Sequence, residues 1–399
     1  MDSIDVLLTR GVDKIYPSRG ALEKVLRSGK KLKLYQGFDP TGTQLHIGHA
    51  VGFRKLRQWQ DLGHEVIFLI GDGTGQAGDP SGKTKSRNMF LTTGQLRQNG
   101  KDYLLQSSKI VRFDGPNPVK ILYNGDWLNK LNLTKLLEIA GHFTLQQMLE
   151  RDLYQERLKA GSDLSLREFF YPLLQGFDSV AMEVDLELGG SDQTFNMLAG
   201  RKLVRAYLGK EKFVMTVPLL TDSKGVKIGK TEGNVIGITD PPADFYGKIM
   251  SLGDDAIVNC FTLLTDLPLS EIDKMEQAIA KGANPMTFKK QLAFELTKEF
   301  NGEPAAVSAE DYFENTFQKR ELTSSLEEFS LKQLPSSTLT IVDLLVATNS
   351  SSSKSEARRL VEQGAVDIDQ TVVDLVQTNV TLKPGMTMRV GKKRFLRFT

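Results

Sequence analysis

The sequence predicts an α/β fold: a doubly wound parallel sheet, then an α-helical domain, then a small carboxyl-terminal α+β domain. Three observations predict it. Apolar runs at residues 32–38, 66–70, 119–123, 184–188 and 213–220 are separated by stretches long enough for crossover helices, the pattern of parallel strands rather than hairpins. Past about residue 222 strand patterning fades and helix-like spacing takes over. Beyond the segment Pro335-Ser-Ser-Thr338, which reads as a linker, the chain becomes locally basic. These breaks give expected domains of 1–221, 222–330 and 339–399, with 331–338 between the last two.

The first strand ends in Asp39-Pro-Thr41-Gly-Thr, turn chemistry that reverses the chain before a helix. That helix should begin near Ile47. Ile47, Ala50, Val51, Phe53, Leu56, Trp59 and Leu62 lie at helical spacing, Arg54, Lys55, Arg57, Gln58 and Asp61 are expected to face water, and Gly63 is a natural stop. His46 and His49 then sit at its first turn, where unpaired backbone N–H groups and the positive end of the helix dipole favour anions. Gly48 between them would let a flat base lie close to the backbone. Two histidines in a first turn can equally be a solvated helix end, and loop lysines are commonly solvated. What argues for chemistry is the partnership of this segment with Lys227-Ile-Gly-Lys230-Thr231, in a loop after the last strand flanked by Gly225 and Gly233. Such a set suits a polyphosphate whose charge shifts during reaction.

Ligands of doubly wound sheets bind beyond the carboxyl ends of the strands near the topological switch point, where Tyr35, Asp79 and residues 189–193 fall. Tyr171, Gln175 and Asp178 share one face of a helix, a face that core packing would not ask to be polar. Two other readings compete for this half of the chain. Gly73-Thr-Gly75-Gln-Ala-Gly78 fits a dinucleotide fingerprint, although three glycines also serve a tight strand exit and an acidic partner is only arguably Asp102. Ala77-Gly-Asp-Pro-Ser-Gly82-Lys83-Thr84 approximates a phosphate-binding loop, but Pro80 removes a backbone donor that such a loop needs. Both leave His46, His49 and the Lys227 segment unexplained.

Helical spacing marks 254–265, 269–280 and 287–300. Residues 303–330 carry Glu303, Glu310, Asp311, Glu314, Glu321, Glu327 and Glu328 against Lys319 and Arg320, which disfavours a long nucleic-acid surface there. In the tail, Lys354, Arg358, Arg359, Lys383, Arg389, Lys392, Lys393, Arg394 and Arg397 outnumber its carboxylates, and adjacent Arg358 and Arg359 lie on a helix that stops at Gly364.

Composition sets bounds on function. The 399 residues suffice for two or three domains, and a net charge of +2 excludes a basic coat over the whole molecule. The single Cys260 excludes an internal disulfide and a multi-cysteine zinc site, and fits a reducing compartment. No apolar run reaches the roughly 20 residues that span a bilayer, and the amino terminus is acidic where a secretory signal is basic. A cytoplasmic protein with no membrane contact is expected.

The segment 35–49 resembles the HIGH signature of class I aminoacyl-tRNA synthetases, and Lys227-Ile-Gly-Lys230-Thr231 resembles their KMSKS loop. Further matches, Gly78-Asp79-Pro-Ser-Gly-Lys83, Tyr171-Pro-Leu-Leu-Gln175-Gly-Phe-Asp178 and Gly189-Gly-Ser-Asp192-Gln193, are similar to the bacterial tyrosine-specific branch and cover most of residues 30–235. The resemblance implies a Rossmann-like catalytic domain that joins tyrosine to ATP as an adenylate, releases pyrophosphate, and passes the tyrosyl group to the terminal ribose of tRNA(Tyr). It implies Thr41, His46, His49, Lys227, Lys230 and Thr231 as catalytic donors. Tyr35 and Asp178 would bind the substrate phenol, Asp79, Tyr171 and Gln175 its ammonium, and Gln193 its carboxylate. Asp39, Gly48, Gly190, Asp192 and Lys230 would hold ATP, which arrives with Mg2+; no metal bound by the protein itself is implied. The tail resembles a ribosomal-protein-S-four-like RNA-binding module, with Arg358 and Arg359 on tRNA, and family members work as homodimers. Gln36, Gly42 and Thr194 depart from common members. The rivals are the tryptophan-specific sibling, which lacks the basic tail, and an RNA binder that has kept the fold.

Overall fold

The computed structural model describes residues 2–81, 90–222, 225–228, 235–318, 327–369, 371–391 and 394–399. They form two compact units, Met1–Ala306 and Val307–Thr399. The first is built on a six-stranded sheet of β1 (Lys14–Tyr16), β2 (Lys33–Phe38), β3 (Glu65–Ile70), β4 (Lys120–Tyr123), β5 (Leu186–Gly190) and β6 (Phe213–Val217), in the order β1-β6-β5-β2-β3-β4. Strands β2 to β6 are parallel, as the crossover spacing requires. They are covered on both faces, so β3 buries every residue after Glu65. Strand β6 stops at Val217 because Pro218 has no N–H for the ladder. The antiparallel edge strand β1 was not legible from the sequence, since three residues give too little alternation to read.

From β2 the chain lays β3 and β4 to one side and then returns to lay β5 and β6 on the other. The carboxyl ends of β2 and β5 therefore part, and a crevice opens between them. Helix Ile47–Asp61 leaves β2 at this point, with Ile47, Phe53, Leu56 and Trp59 fully buried and Gly63 at φ 75° beyond its end. Its polar face departs from expectation. Arg54 and Lys55 are 8% and 2% exposed, because other segments cover them. Lys55 Nζ donates to the carbonyls of Leu7 (2.9 Å) and Arg10 (2.6 Å) and to Gln58 Oε1, while Arg54 pairs with Asp266 and Glu299. Periodicity sees that these residues are charged but not that partners come from segments far away in the chain.

Helices Leu166–Ala181 and Thr194–Leu208 pack against each other through glycines. A Cβ at Gly176 would stand 3.0–3.2 Å from Leu203 and the backbone of Ala199 and Gly200, so only hydrogen lets the two backbones approach this closely. The helices after β6, Pro242–Met250, Ile257–Leu264, Leu269–Ala280 and Pro285–Asn301, belong to the same unit. Among the described residues no helix is long and apolar enough to cross a membrane.

The second unit holds a sheet of β7 (Glu327–Phe329), β9 (Val366–Ile368), β10 (Thr371–Val372), β12 (Thr387–Val390) and β13 (Arg394–Phe398), in the order β10-β9-β12-β13-β7. A two-stranded ladder, β8 (Thr338–Thr340) with β11 (Asn379–Thr381), stands beside helices Ile341–Ala347 and Lys354–Glu362. Leu344, Leu345, Val361, Met388, Leu396 and Phe398 close its core. Ala357 and Val361 point inward, which leaves Arg358 and Arg359 exposed on the outer face of Lys354–Glu362.

Candidate active site

A cavity of about 490 Å³ lies in the crevice between β2 and β5. Residues that the sequence singles out from across the first unit line it together: Tyr35, Asp39, Thr41, His46, Gly48, His49, Asp79, Tyr171, Gln175, Asp178, Gly190, Asp192, Gln193 and Lys227. Its two ends differ in chemistry.

At one end stands the entrance of helix Ile47–Asp61, whose N-cap is His46. The ring of His46 accepts the Gly48 N–H at Nδ1 (3.2 Å), and His49 accepts the His46 N–H at its own Nδ1 (3.2 Å). With each Nδ1 accepting, the ring proton sits on Nε2, so both imidazoles carry a donor on the side away from their own backbone. A side chain at Gly48 would strike the His46 ring at 3.0 Å, and the Ile228 carbonyl lies 3.9 Å from the same point. The Lys227 segment thus runs alongside the first helical turn. It is held there by a hairpin, with Ile228 donating to Leu220 (2.8 Å) and Asp222 to Val226 (3.0 Å). Residues 235–238 return to the same entrance, where His46 bridges Gly237 and Ile47 donates to the Ile236 carbonyl (3.0 Å). Lys227 Nζ reaches Asp192 at 3.1 Å. This end combines a helix N-terminus, two imidazole donors and an ammonium, the donor set of a phosphate site.

The other end is acidic. Asp178, 1% exposed, accepts from Trp127 Nε1 at 2.8 Å and from Asn124 Nδ2 at 2.9 Å. Burial holds its carboxyl well above the usual carboxylate range, against the opposite pull of those two hydrogen bonds. The Tyr35 hydroxyl, equally buried, meets Ser179 Oγ at 3.0 Å, and burial followed by the nearby Glu187 and Asp178 charges raises it far above a free phenol. Tyr171 is raised likewise, first by burial and then by Asp39 and Asp79. Asp79 accepts from Gln193 Nε2 (2.7 Å) and from the Ser81 N–H (2.9 Å). Gln175 donates through Nε2 to Glu187 (2.9 Å), which turns its Oε1 the other way, buried and with no partner among the described residues. A buried acceptor with nothing to accept is a place for a group that donates.

Lys230 and Thr231 lie outside the described residues, as does Lys83. Arg358 and Arg359 belong to the second unit. Asn124, Trp127, Ser179, Glu187 and Lys212, which no motif marks out, hold the acidic end in place. One signal was available: Glu187 interrupts the apolar run Leu186-Glu-Leu188 of a strand buried on both faces. Among the described residues no group of three His, Cys, Asp or Glu side chains is arranged to hold a metal ion.

A family described as tRNA synthetases class I (W and Y) matches residues 27–318, and one described as the tyrosine–tRNA ligase SYY-like C-terminal domain matches residues 321–397. The tyrosine–tRNA ligase of Thermotoga maritima is 40% identical over 395 residues, spanning 98% of this chain and 96% of that protein. That of Mannheimia succiniciproducens is 41% identical over 403 residues and spans both chains fully. Among solved structures, a C-terminally truncated mitochondrial tyrosyl-tRNA synthetase of Aspergillus nidulans superposes with a TM-score of 0.66 at 24% identity, over 79% of this chain and 94% of that one. The Archaeoglobus fulgidus tyrosyl-tRNA synthetase complexed with L-tyrosine does so at 0.62 and 19% identity, over 77% and 100%. These two structures share the fold over that part of the chain.

Proposed function

The chain belongs to the class I tRNA synthetases of the tryptophan and tyrosine group, and we propose that it is a tyrosine–tRNA ligase that forms tyrosyl-adenylate from tyrosine and ATP before charging tRNA(Tyr). One observation carries the reading at the level of the site. A single cavity joins a buried carboxylate with a spare acceptor beside it to a helix entrance furnished with imidazole donors and a lysine.

In this reading tyrosine lies with its phenol between Tyr35 and Asp178 and its ammonium among Asp79, Tyr171 and Gln175, with Gln193 near its carboxylate. ATP lies over Gly48, with its ribose at Gly190 and Asp192, and Asp39 serves the same half. The tyrosine carboxylate, ionised at neutral pH, attacks the α-phosphate and pyrophosphate leaves; no general base is needed. The protein holds the reactants in line and meets the growing charge with Thr41, His46, His49 and Lys227, together with Lys230 and Thr231. Magnesium would travel on the phosphates of ATP.

The second unit would grip tRNA through phosphates, with Arg358 and Arg359 on its exposed helix face. Removal of residues 336–399 is expected to abolish most tRNA charging and to leave adenylate formation intact. A homodimer is part of the proposal: Leu133, Leu137, Leu145, Leu158 and Leu166 are each at least half exposed, and exposed apolar side chains suit contact with a second copy. So is a cytoplasmic location, which the single buried Cys260 suits. The deciding experiment is ATP–pyrophosphate exchange. It should require tyrosine; exchange driven by tryptophan instead, or ATP turnover with no amino acid, would refute the reading.

A further inference from the structure

At the acidic end of the cavity lies an ion pair that the reaction as proposed does not use, its carboxylate, Glu187, among the lining residues. Lys212, at the foot of β6, has no exposed surface, and its ammonium contacts Glu187 of β5, which is 1% exposed. Lys212 Nζ also donates to Ser179 Oγ at 2.7 Å, and Ser179 in turn meets the Tyr35 hydroxyl at 3.0 Å. The other oxygen of Glu187 takes the Gln175 amide at 2.9 Å. The fold makes room for this cluster at Gly200, where a Cβ would stand 2.5 Å from Lys212 Nζ, 2.9 Å from Ser179 Oγ and 3.2 Å from Glu187 Oε2. Buried ion pairs are poor devices for stability, because well-packed apolar residues of similar volume commonly do as well or better. Both ends of this one terminate on groups that face the cavity.

We infer that Lys212 and Glu187 form a positioning pair for amino-acid recognition, resting on the tyrosine reading above. Glu187 can only accept, so it forces the Gln175 amide to present its Nε2 downward and its Oε1 to the substrate ammonium. Lys212 pairs with Glu187 and, through Ser179, holds the Tyr35 hydroxyl where the phenol docks. Neither residue approaches the His46 end, so the pair governs tyrosine binding and leaves ATP binding and the chemical step alone.

The test is ATP–pyrophosphate exchange by the full-length enzyme. Lys212→Met should raise KM for tyrosine by about tenfold, the scale of one charge-assisted hydrogen bond, with kcat and KM for ATP held within about twofold. Rejection of phenylalanine should weaken with it. The double variant Glu187→Gln with Lys212→Met removes the charge imbalance and keeps the protein folded if the single variant fails to fold. Glutamine at 187 can donate or accept, so it no longer fixes the Gln175 amide, and KM for tyrosine should stay raised even though stability recovers. A double variant with wild-type KM for tyrosine would show a merely structural pair and overturn the inference, as would an unmoved KM in a folded Lys212→Met enzyme. A wild-type enzyme with no tyrosine-dependent exchange would instead refute the tyrosine reading, and with it the pocket this pair is said to hold.

Discussion

Replacing Asp178 by alanine should alter the choice of amino acid more than the rate of the reaction. The carboxylate is 1% exposed and already accepts from Trp127 at 2.8 Å and Asn124 at 2.9 Å, so its remaining acceptor capacity is directed at whatever hydroxyl enters the pocket. A hydrogen bond to a charged group contributes about 1.5–3 kcal/mol. Phenylalanine in the wild-type pocket forfeits that bond and leaves the buried acceptor unmet. In the variant it meets no such penalty, while tyrosine keeps only the two freed N–H donors as partners for its oxygen. The ratio of kcat/KM for tyrosine over phenylalanine should therefore fall by roughly 10- to 100-fold, at about 1.4 kcal/mol per decade. The scaffold should persist, because Asn124 remains anchored through Gly73 N–H (2.8 Å) and Thr74 Oγ1 (2.9 Å). The assay is pyrophosphate exchange with each amino acid at saturating ATP, beside a melting curve. A ratio within twofold of wild type in a folded variant would refute the assignment of the phenol site.

His46→Ala should slow adenylate formation by about 3 kcal/mol of transition-state stabilisation and leave tyrosine affinity unchanged, as read by pre-steady-state formation of the adenylate; the reverse pattern would sink the role given to His46. Burial pushes Lys55 from 10.5 down to about 7, so above pH 7 the unfolded chain holds a proton that the folded one does not. Stability should rise with pH from about 7 toward 10.5, by at most about 1.4 kcal/mol per pH unit from this group, and stay flat below 7. Lys55→Met should flatten that rise in urea unfolding at pH 7.5 against pH 9.5, and an identical slope would count against the downward shift that burial gives Lys55. Gly200→Ala should lose about 1–3 kcal/mol of stability by denaturant titration, since its methyl would meet Lys212 Nζ at 2.5 Å. A neutral result would show that the two helices can part there.

Much of this could be read from the residues alone. The parallel strands announced themselves as apolar runs at crossover spacing, and the cavity-lining face Tyr171, Gln175 and Asp178 as polar residues where a core was due. What could not be read was whatever depends on contact between distant segments. Arg54 and Lys55 look like solvated helix residues until Asp266, Glu299 and the carbonyls of Leu7 and Arg10 are brought to them. Asn124 and Trp127 gain meaning only once β4 delivers them to Asp178, 51 or more positions away. Strand β1 adds three residues to an edge, too few for any local pattern.

The first residues of the chain act as a rivet. The carbonyls of Leu7 and Arg10 receive the ammonium of Lys55, and the Arg10 guanidinium reaches the carbonyls of Phe261, Thr262, Thr265 and Leu267, sealing the far end of helix Ile257–Leu264. Trimming ten amino-terminal residues would in one cut strand a lysine in an apolar interior and unclasp a helix that begins some 250 positions later. In chimaeras assembled from related enzymes, this arm, helix Ile47–Asp61 and helix Ile257–Leu264 should accordingly be inherited from the same parent.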